Sequence, residues 1–269
     1  MITLKYIKDE IQKIAEAIEA VLEIDVTIVD ENLVRVAGTG IYLQKIGKKV
    51  NGYSAFKKSI IEQSTILITD PSCNEICKEC YLRSDCREFS EMCCPIVCEG
   101  KSYGVIGLIA FDRKQADRIN KNHENLINFL GKMADLISNK LKAKIKAYEL
   151  ELEKKKLETL LDSMDKAIVS IDVKGNIDRY NSKFKEIFKL SNSICNENIF
   201  NILDFMSATP INKFEKEKSY SFYYKKEKYT LRGIYNINKI VLNNELKGYV
   251  IDFIDKKDAI KNYNKINLL

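Results

Sequence analysis

The stretch "MCCPIVCEGKSYGVIGLIAF", from Met92 to Phe111, decides the predicted fold of the region around it. Two largely apolar runs flank Glu99-Gly100, so the stretch predicts a β-hairpin with this pair at or beside the turn. The second run, "VIGLIAF", is apolar throughout, which favours a central, buried strand. Gly104 and Gly107 indicate a close approach to this strand or a bulge within it.

The segment that leads into the hairpin is rich in cysteine. Residues 72–100 hold seven of the chain's eight cysteines. These are Cys73, Cys77, Cys80, Cys86, Cys93, Cys94 and Cys98. No apolar run reaches the ~18 residues of a membrane span, and no signal peptide precedes the first helix, which predicts a cytoplasmic protein. Because thiols stay reduced there, the cluster indicates metal or redox chemistry more than disulfides.

Composition narrows the class of protein further. The 269 residues are 45% hydrophobic and 30% charged, which allows one large or two smaller globular domains. The formal net charge is only +6, and the lysines are interspersed with acidic residues. We therefore expect no direct contact with nucleic acid.

The elements on either side of the hairpin follow from local patterns. Apolar residues at helical spacing predict a helix over Leu4–Leu22. "IDVTIVDENLVRVAGTG" then predicts two strands with a turn at Asp30–Asn32, "GYSAFKKSIIEQ" a short helix and "TILITDP" a strand. A long helix is expected from about Asp112.

This order of elements resembles a GAF domain. The run "NEICKECYLRSDC…CPIVCEGKSYGVIGLIAFDRKQ" is more specific, and it resembles the cysteine-bearing GAF-like sensor region of clostridial sigma-54-dependent transcriptional activators. The matching positions are Pro95, Ile96, Gly100, Gly104 to Leu108, Ala110, Phe111 and Gln115. The resemblance implies signal input to a transcriptional activator. We expect this chain itself to have no enzymatic activity.

The long helix carries an apolar stripe. Its members step by three or four residues, and neither Gly nor Pro interrupts residues 132–164. They are Ile137, Leu141, Ile145, Tyr148 and Leu152. The pattern favours a parallel homodimer through a connecting helix over a surface helix that packs on its own domain.

The sequence after this helix resembles a PAS domain. "AIVSID", a turn at Lys174-Gly175, "NIDRYN" and a helix open it, with Gly175 and Asn181 at the positions that its pattern expects. Strands that turn residues separate close it. The predicted fold class is α+β, with two antiparallel-sheet sensory domains, GAF-like and then PAS-like, joined by a long helix. The predicted limits are 1–131, 132–154 for the helix, 155–256, and a tail at 257–269.

A metal or cluster site is the first hypothesis for the cysteine segment. The C-x-x-C pair Cys77/Cys80 lets two thiolates face one ion, and Cys86 and Cys94 complete the expected set, with Cys73 in reserve. Cys93 and Cys98 are further candidates for the fourth ligand. Soft thiolates select iron–sulfur clusters, zinc or copper(I). Pro95 after Cys94 and the single C-x-x-C pair favour a cluster, with zinc as the alternative. A thiol redox switch and inert packing stay open.

Other chemistry has little support. His123 is the only histidine, so no Ser/His/Asp triad beyond it can form, and its place at a helix start favours capping. Cys195 is expected to be structural, and Asp30, Asp70 and Asp85 to form turns. A phosphate-binding G-x-x-x-x-G-K-[ST] loop is absent from the sequence.

The predicted function is that of a cytosolic sensor for a transcriptional regulator. The alternatives are a metabolite-binding module, in which any metal is only structural, and a thiol reductase acting at Cys77/Cys80. The activators that the chain resembles also carry an ATPase and a helix-turn-helix domain. We expect this chain to be either a fragment of such a regulator or a sensor that acts through a partner.

Overall fold

The computed structural model describes residues 2–50, 54–78, 80, 86–191, 193–206 and 219–256. The chain divides into two compact units, Met1–Leu150 (unit 1) and Glu151–Leu269 (unit 2). The predicted domain limits after residues 131 and 154 both fall inside one helix. They stay predictions, and the predicted tail at 257–269 lies outside the described residues.

Unit 1 holds one antiparallel sheet and its flanking helices. Its elements are a 3₁₀ turn Leu4–Ile7, α1 (Lys8–Leu22), β1 (Asp25–Asp30), β2 (Arg35–Gly38), a 3₁₀ turn Gly40–Lys45, α2 (Ala55–Glu62), β3 (Ile66–Ile68), α3 (Glu75–Lys78), β4 (Ser90–Cys98), β5 (Lys101–Ala110), α4 (Arg113–Lys121) and α5 (His123–Asp162), which runs on into unit 2. The strand order is β2-β1-β5-β4-β3.

The predicted hairpin is the centre of this sheet. β4 pairs with β5 from Ser90↔Ala110 to Cys98↔Lys101, and β5 also pairs with β1. Glu99 (φ 51°) and Gly100 (φ 77°) both adopt the left-handed conformation that a two-residue hairpin turn requires. Any side chain at position 107 would collide with the ring of Phe56, which confirms the close approach predicted for this strand.

The two faces of the sheet have separate apolar cores. One core packs against α1 and α5 and includes Met92, Cys94 and Ile96 of β4. The other packs against α2 and includes Cys93 with Phe56. Neighbouring residues of a strand point to opposite faces, so Cys93 and Cys94 lie in different cores.

The helices after the hairpin differ in detail from the prediction. Asp112 caps α4, where its Oδ1 accepts a 2.7 Å hydrogen bond from the Gln115 amide, and the helix breaks at Asn122 before α5 begins. Ile137 and Leu141 are fully buried in the core of unit 1. The predicted stripe is therefore not a uniform exposed seam, because its first half packs on its own domain.

Unit 2 repeats the architecture with a different core. Its elements are β6 (Ala167–Asp172), β7 (Ile177–Tyr180), α6 (Ser182–Phe188), α7 (Ile199–Ile202), a 3₁₀ turn Asp204–Met206, β8 (Ser219–Lys226), β9 (Tyr229–Leu242) and β10 (Glu245–Asp255). The order β7-β6-β10-β9-β8 has the same pattern as in unit 1. Aromatic rings fill the core, with centroid separations such as 5.0 Å for Phe184–Phe188 and for Phe205–Phe222.

The predicted fold class is confirmed. Both sheets are antiparallel, helices flank them, and α5 connects them. Within the described ranges, no helix has the length and apolar character needed to cross a membrane.

Candidate functional site

A cavity of about 1070 Å³ opens on the α2 side of the unit 1 sheet. Parts of β2, β4, α2, α3 and α4 line it, together with the segments before and after the cysteine pair Cys77/Cys80. Its apolar floor includes Phe56 and Ile68. Ligand pockets of ~300–1,000 Å³ are typical for small molecules, so the cavity has room for one.

A set of lining residues, Arg35, Tyr42, Lys45 and Ser54, is defined here as the cationic corner. The Arg35 guanidinium lies 5.0 Å from the centroid of the Tyr42 ring, and the Lys45 ammonium lies 5.3 Å from it. The Tyr42 hydroxyl donates a 3.5 Å hydrogen bond to Oε1 of Glu88. Burial, with the nearby Glu88 carboxylate, raises the pKa of Tyr42 far above its usual range, so the ring stays neutral.

Two polar atoms of this corner are buried without a hydrogen-bond partner among the described residues. They are Nε of Arg35 and Oγ of Ser54. Burial lowers the pKa of Arg35 from its ordinary value. A buried donor without a partner costs about 1–3 kcal/mol, and a bound ligand that accepts its hydrogen bond recovers that cost.

Two glutamates face the corner from the cysteine segment and β4. Glu91 is only 7% exposed, and burial and the neighbouring Glu88 carboxylate raise its pKa to about 8. Burial also raises the pKa of Glu88. The thiol of Cys93 donates a 3.4 Å hydrogen bond to Oε1 of Glu91. The cavity thus contains cationic, acidic and thiol groups.

Three of the four predicted metal ligands line this cavity: Cys77, Cys80 and Cys86. Burial raises the pKa of Cys77 to about 11, with further contributions from Glu91 and from the other two thiols. Burial also raises the pKa of Cys86. Within the described residues, no group of three or more His, Cys, Asp or Glu side chains is close enough to hold a metal ion.

The fourth predicted ligand, Cys94, lies apart from the other three. It belongs to the core against α1 and α5, on the opposite face of the sheet from the α2 core, which Cys77 packs against. Cys93 is the β4 thiol on the cavity side. Cys73, the reserve, is exposed, and Cys98 is buried.

The other candidates from the sequence occupy structural places. Asp30 accepts hydrogen bonds from the amides of Asn32 and Val34, as a turn former does. His123 begins α5, with its Nδ1 3.0 Å from the Asn120 carbonyl oxygen. Cys195 is exposed in unit 2, and Asp85 lies outside the described residues.

Sequence reasoning missed the cationic corner. Its residues come from β2, the second 3₁₀ turn and the start of α2, so no single motif contains them. The one local signal is Arg35, a charged residue in the apolar run "LVRVAG".

No family model matches the chain. The putative uric acid sigma-54-dependent transcriptional regulator UacR of Escherichia coli (strain K12) is 29% identical over 181 residues, which cover 65% of this chain and 29% of that protein. The chain therefore spans less than a third of the length of this curated relative. The predicted resemblance to sigma-54-dependent regulators is confirmed by this homologue.

The fold of one solved structure agrees with that of this chain over most of its length. The E. coli DhaR(N)–DhaL complex gives a TM-score of 0.56 at 14% identity and covers 93% of this chain and 88% of that chain. A PAS domain of an HTR-like protein from Haloarcula marismortui (TM-score 0.33, 16% identity) covers 42% of this chain and 98% of that chain. The A. Aeolicus nlh2 GAF domain in an inactive state (TM-score 0.35, 16% identity) covers 48% and 85%.

Proposed function

We propose that this chain is the signal-sensing region of a sigma-54-dependent transcriptional regulator, and that the unit 1 cavity binds the signal molecule. The observation that carries the proposal is the cavity itself, about 1070 Å³ in volume, with two buried polar atoms that have no partner in the described residues. The homologous regulator supports the assignment to transcriptional control.

Uric acid is the first ligand to test, because the name of the homologous regulator gives it. A ligand that binds only the folded protein raises the unfolding free energy, by about 2.7 kcal/mol at 100 times the dissociation constant. We expect urate to raise the melting temperature of the purified protein. Ile76→Trp, in the cavity wall, should abolish the shift, whereas Ile61→Trp, on the exposed side of α2, should keep it. An unchanged melting temperature in saturating urate contradicts urate as the ligand.

A thiolate-bound iron–sulfur cluster, or zinc, is the second candidate function. The favouring observation is that Cys77, Cys80 and Cys86 line one cavity and that the other two thiols each contribute to the raised pKa of Cys77. Bound zinc, or the iron of a cluster, would stabilise the thiolate forms of these cysteines. The donor set fits a soft metal, but the described geometry does not bring three donors to one point. Cys93, on the cavity side, is a better fourth ligand than Cys94.

Metal analysis of protein purified without oxygen tests this second candidate. We expect stoichiometric iron and sulfide, or zinc, and Cys80→Ser should remove most of it. Cys195→Ser, which changes an exposed thiol of unit 2, is the control. Full metal retention in the triple Cys77/Cys80/Cys86→Ser variant excludes the site.

We further propose that the regulator acts as a homodimer through α5. The exposed apolar residues at seven-residue spacing on this helix support the proposal: Leu136 (43% exposed), Leu150 (57%) and Leu157 (59%), with Ala143 between the first two. A coiled-coil seam contains two apolar rows, and these residues supply one of them. We call these four residues the heptad row.

The charges beside the heptad row fit a parallel pairing. In a parallel coiled coil, the residue just before a row position on one helix lies opposite a residue of the partner helix. That partner residue is five positions further along the sequence. This places Asp135 opposite Lys140 of the second copy, and Glu149 opposite Lys154. Both pairs have opposite charge, which favours a second copy of this chain as the occupant of the row.

A further inference from the structure

The acidic groups of the cavity already have partners within the protein. Asp70 accepts hydrogen bonds from the amide and hydroxyl of Ser72, at 2.9 and 2.6 Å. Asp117 pairs with the Lys121 ammonium at 3.3 Å. Glu88 and Glu91 accept from Tyr42 and Cys93, as described above. These carboxylates of the cavity wall therefore do not need a cationic ligand as a hydrogen-bond or ion-pair partner.

Arg35 has a donor that these acids do not satisfy. The Glu88 and Glu91 carboxylates interact with its charge through space, but neither forms a hydrogen bond to its buried Nε, which has no acceptor among the described residues. The hydroxyl of Ser54, which also lines the cavity, is buried without a partner among the described residues. An arginine guanidinium presents a planar fork of donors that matches carboxylates and similar delocalised anions.

The rest of the cavity suits the body of such a molecule. Phe56 and Ile68 supply an apolar floor, and Tyr42 supplies a flat, neutral ring beside the guanidinium. Burying an apolar or aromatic body against these groups is favourable at roughly 25 cal/mol per Å².

We infer that the cavity takes a small, planar organic anion, whose ionised group is held by Arg35 and Ser54 and whose body lies on the apolar floor. The inference rests on the proposed function, in which the cavity is the sensing site. It names the chemical class of the signal. That class includes both carboxylates and ionised oxopurines.

Matched pairs of probes test the charge requirement. Nicotinate and nicotinamide, and benzoate and benzamide, have nearly the same shape and differ in charge. Isothermal titration should show that each anion binds about tenfold or more tightly than its amide. This is the difference in affinity that one charge-assisted hydrogen bond produces. Urate, titrated beside them, distinguishes an ionised ring from a carboxylate as the preferred anion.

Substitutions test which residues cause the preference for anions over amides. Arg35→Met should lose the preference for the anions, and Arg35→Lys should keep part of it. Ser54→Ala should weaken the anions without removing the preference, which gives a second readout if Arg35→Met does not fold. Arg232→Met is the matched control, because this arginine lies 5.1 Å from the ring of Tyr223 in unit 2.

The outcomes separate the inference from the proposed function. Equal binding of anions and amides, or unchanged anion binding in Arg35→Met, overturns the inference and leaves a cavity that binds small molecules. If neither these probes nor urate binds at millimolar concentration, both the inference and the sensing cavity are rejected. Selective anion binding that depends on Arg35 supports both.

Discussion

Asn181 joins three elements of unit 2 through one buried side chain. Its Oδ1 accepts hydrogen bonds from the amides of Ile168 (2.9 Å) and Phe184 (3.1 Å). Its Nδ2 donates to the carbonyls of Leu161 (2.9 Å) and Lys166 (2.8 Å). The side chain therefore caps α6 and also fixes the end of α5 against the first strand of the sheet.

Removing this amide should destabilise unit 2 strongly. Asn181→Ala leaves several buried backbone groups without partners, so we expect the unfolding free energy to fall by about 3 kcal/mol. Asn198→Ala, which removes the cap of α7, is the matched control and should cost about 1 kcal/mol. Urea unfolding followed by circular dichroism measures both, and equal losses would contradict the role given to Asn181.

Glu91 should make the stability of unit 1 depend on pH. Its folded-state pKa is raised to about 8, so the folded state holds the proton more tightly than the unfolded chain does. Stability is then greatest below the unfolded pKa and is lost as pH rises from about 4.5 to 8, by an amount on the order of 5 kcal/mol. Glu91→Gln should remove this loss, whereas Glu10→Gln, on the exposed side of α1, should not. A flat wild-type pH profile of urea midpoints would argue against the buried carboxyl.

At the scale of elements, β4 connects the cavity to α5. Its Glu91 and Cys93 lie on the cavity side. At the other end, the Val97 carbonyl accepts a 2.8 Å hydrogen bond from the Ser138 hydroxyl of α5. Beside it, Glu99 in the hairpin turn forms a 2.8 Å ion pair with Lys142 of the same helix. We therefore expect a displacement of β4 by a ligand to act directly on α5 through these two contacts.

Amide hydrogen exchange tests this connection. We expect a cavity ligand, with urate as the first probe, to change exchange in residues 132–152 of the wild-type protein. Ser138→Ala combined with Lys142→Met should bind the probe but confine the change to the sheet. The exposed pair contributes only about 0–1 kcal/mol, so the double variant should stay folded.

Lys155→Met is the control for the exchange experiment, because it removes an ion pair with Glu158 in the part of α5 beyond residues 132–152. An unchanged response of residues 132–152 in the double variant would show that the connection runs elsewhere.

At the scale of the whole molecule, the fold could be predicted because its signals are local. The hairpin turn at Glu99-Gly100, the apolar strand after it and the glycine at 175 each act through their immediate neighbours. The break at Asn122 was missed because polar residues continue across it without Gly or Pro.

The cavity could not be predicted in the same way. Arg35, Tyr42 and Glu91 meet only after three separate segments have packed, and the sequence offers no pattern for that meeting. The separation of Cys94 from the other predicted ligands depends on which face of β4 each side chain takes. Alternation alone shows that Cys93 and Cys94 differ, but it does not show which of them faces the cavity.

The assembly of two chains can be tested along α5. Leu150→Glu with Leu157→Glu places charges in the heptad row and should convert a dimer to monomers, as sedimentation velocity would show. Tyr148→Glu with Leu152→Glu changes two exposed residues of the originally predicted stripe and should leave the dimer intact. The reverse result would restore the original stripe as the seam, and a wild-type monomer at high concentration would reject both.

The shortness of β3 has a consequence for colloidal behaviour. β3 covers β4 only from Glu91 to Cys93, which leaves the remainder of β4 as an edge among the described residues. At the end of the covered stretch the Cys93 carbonyl accepts a hydrogen bond from the Ser59 hydroxyl. Beyond it, the Val97 carbonyl accepts a hydrogen bond from the Ser138 hydroxyl, and Pro95 has no amide hydrogen. A strand from another molecule therefore has few free amide and carbonyl groups on this edge with which to form hydrogen bonds. The apolar centre of the sheet is protected in this way against intermolecular sheet growth and aggregation.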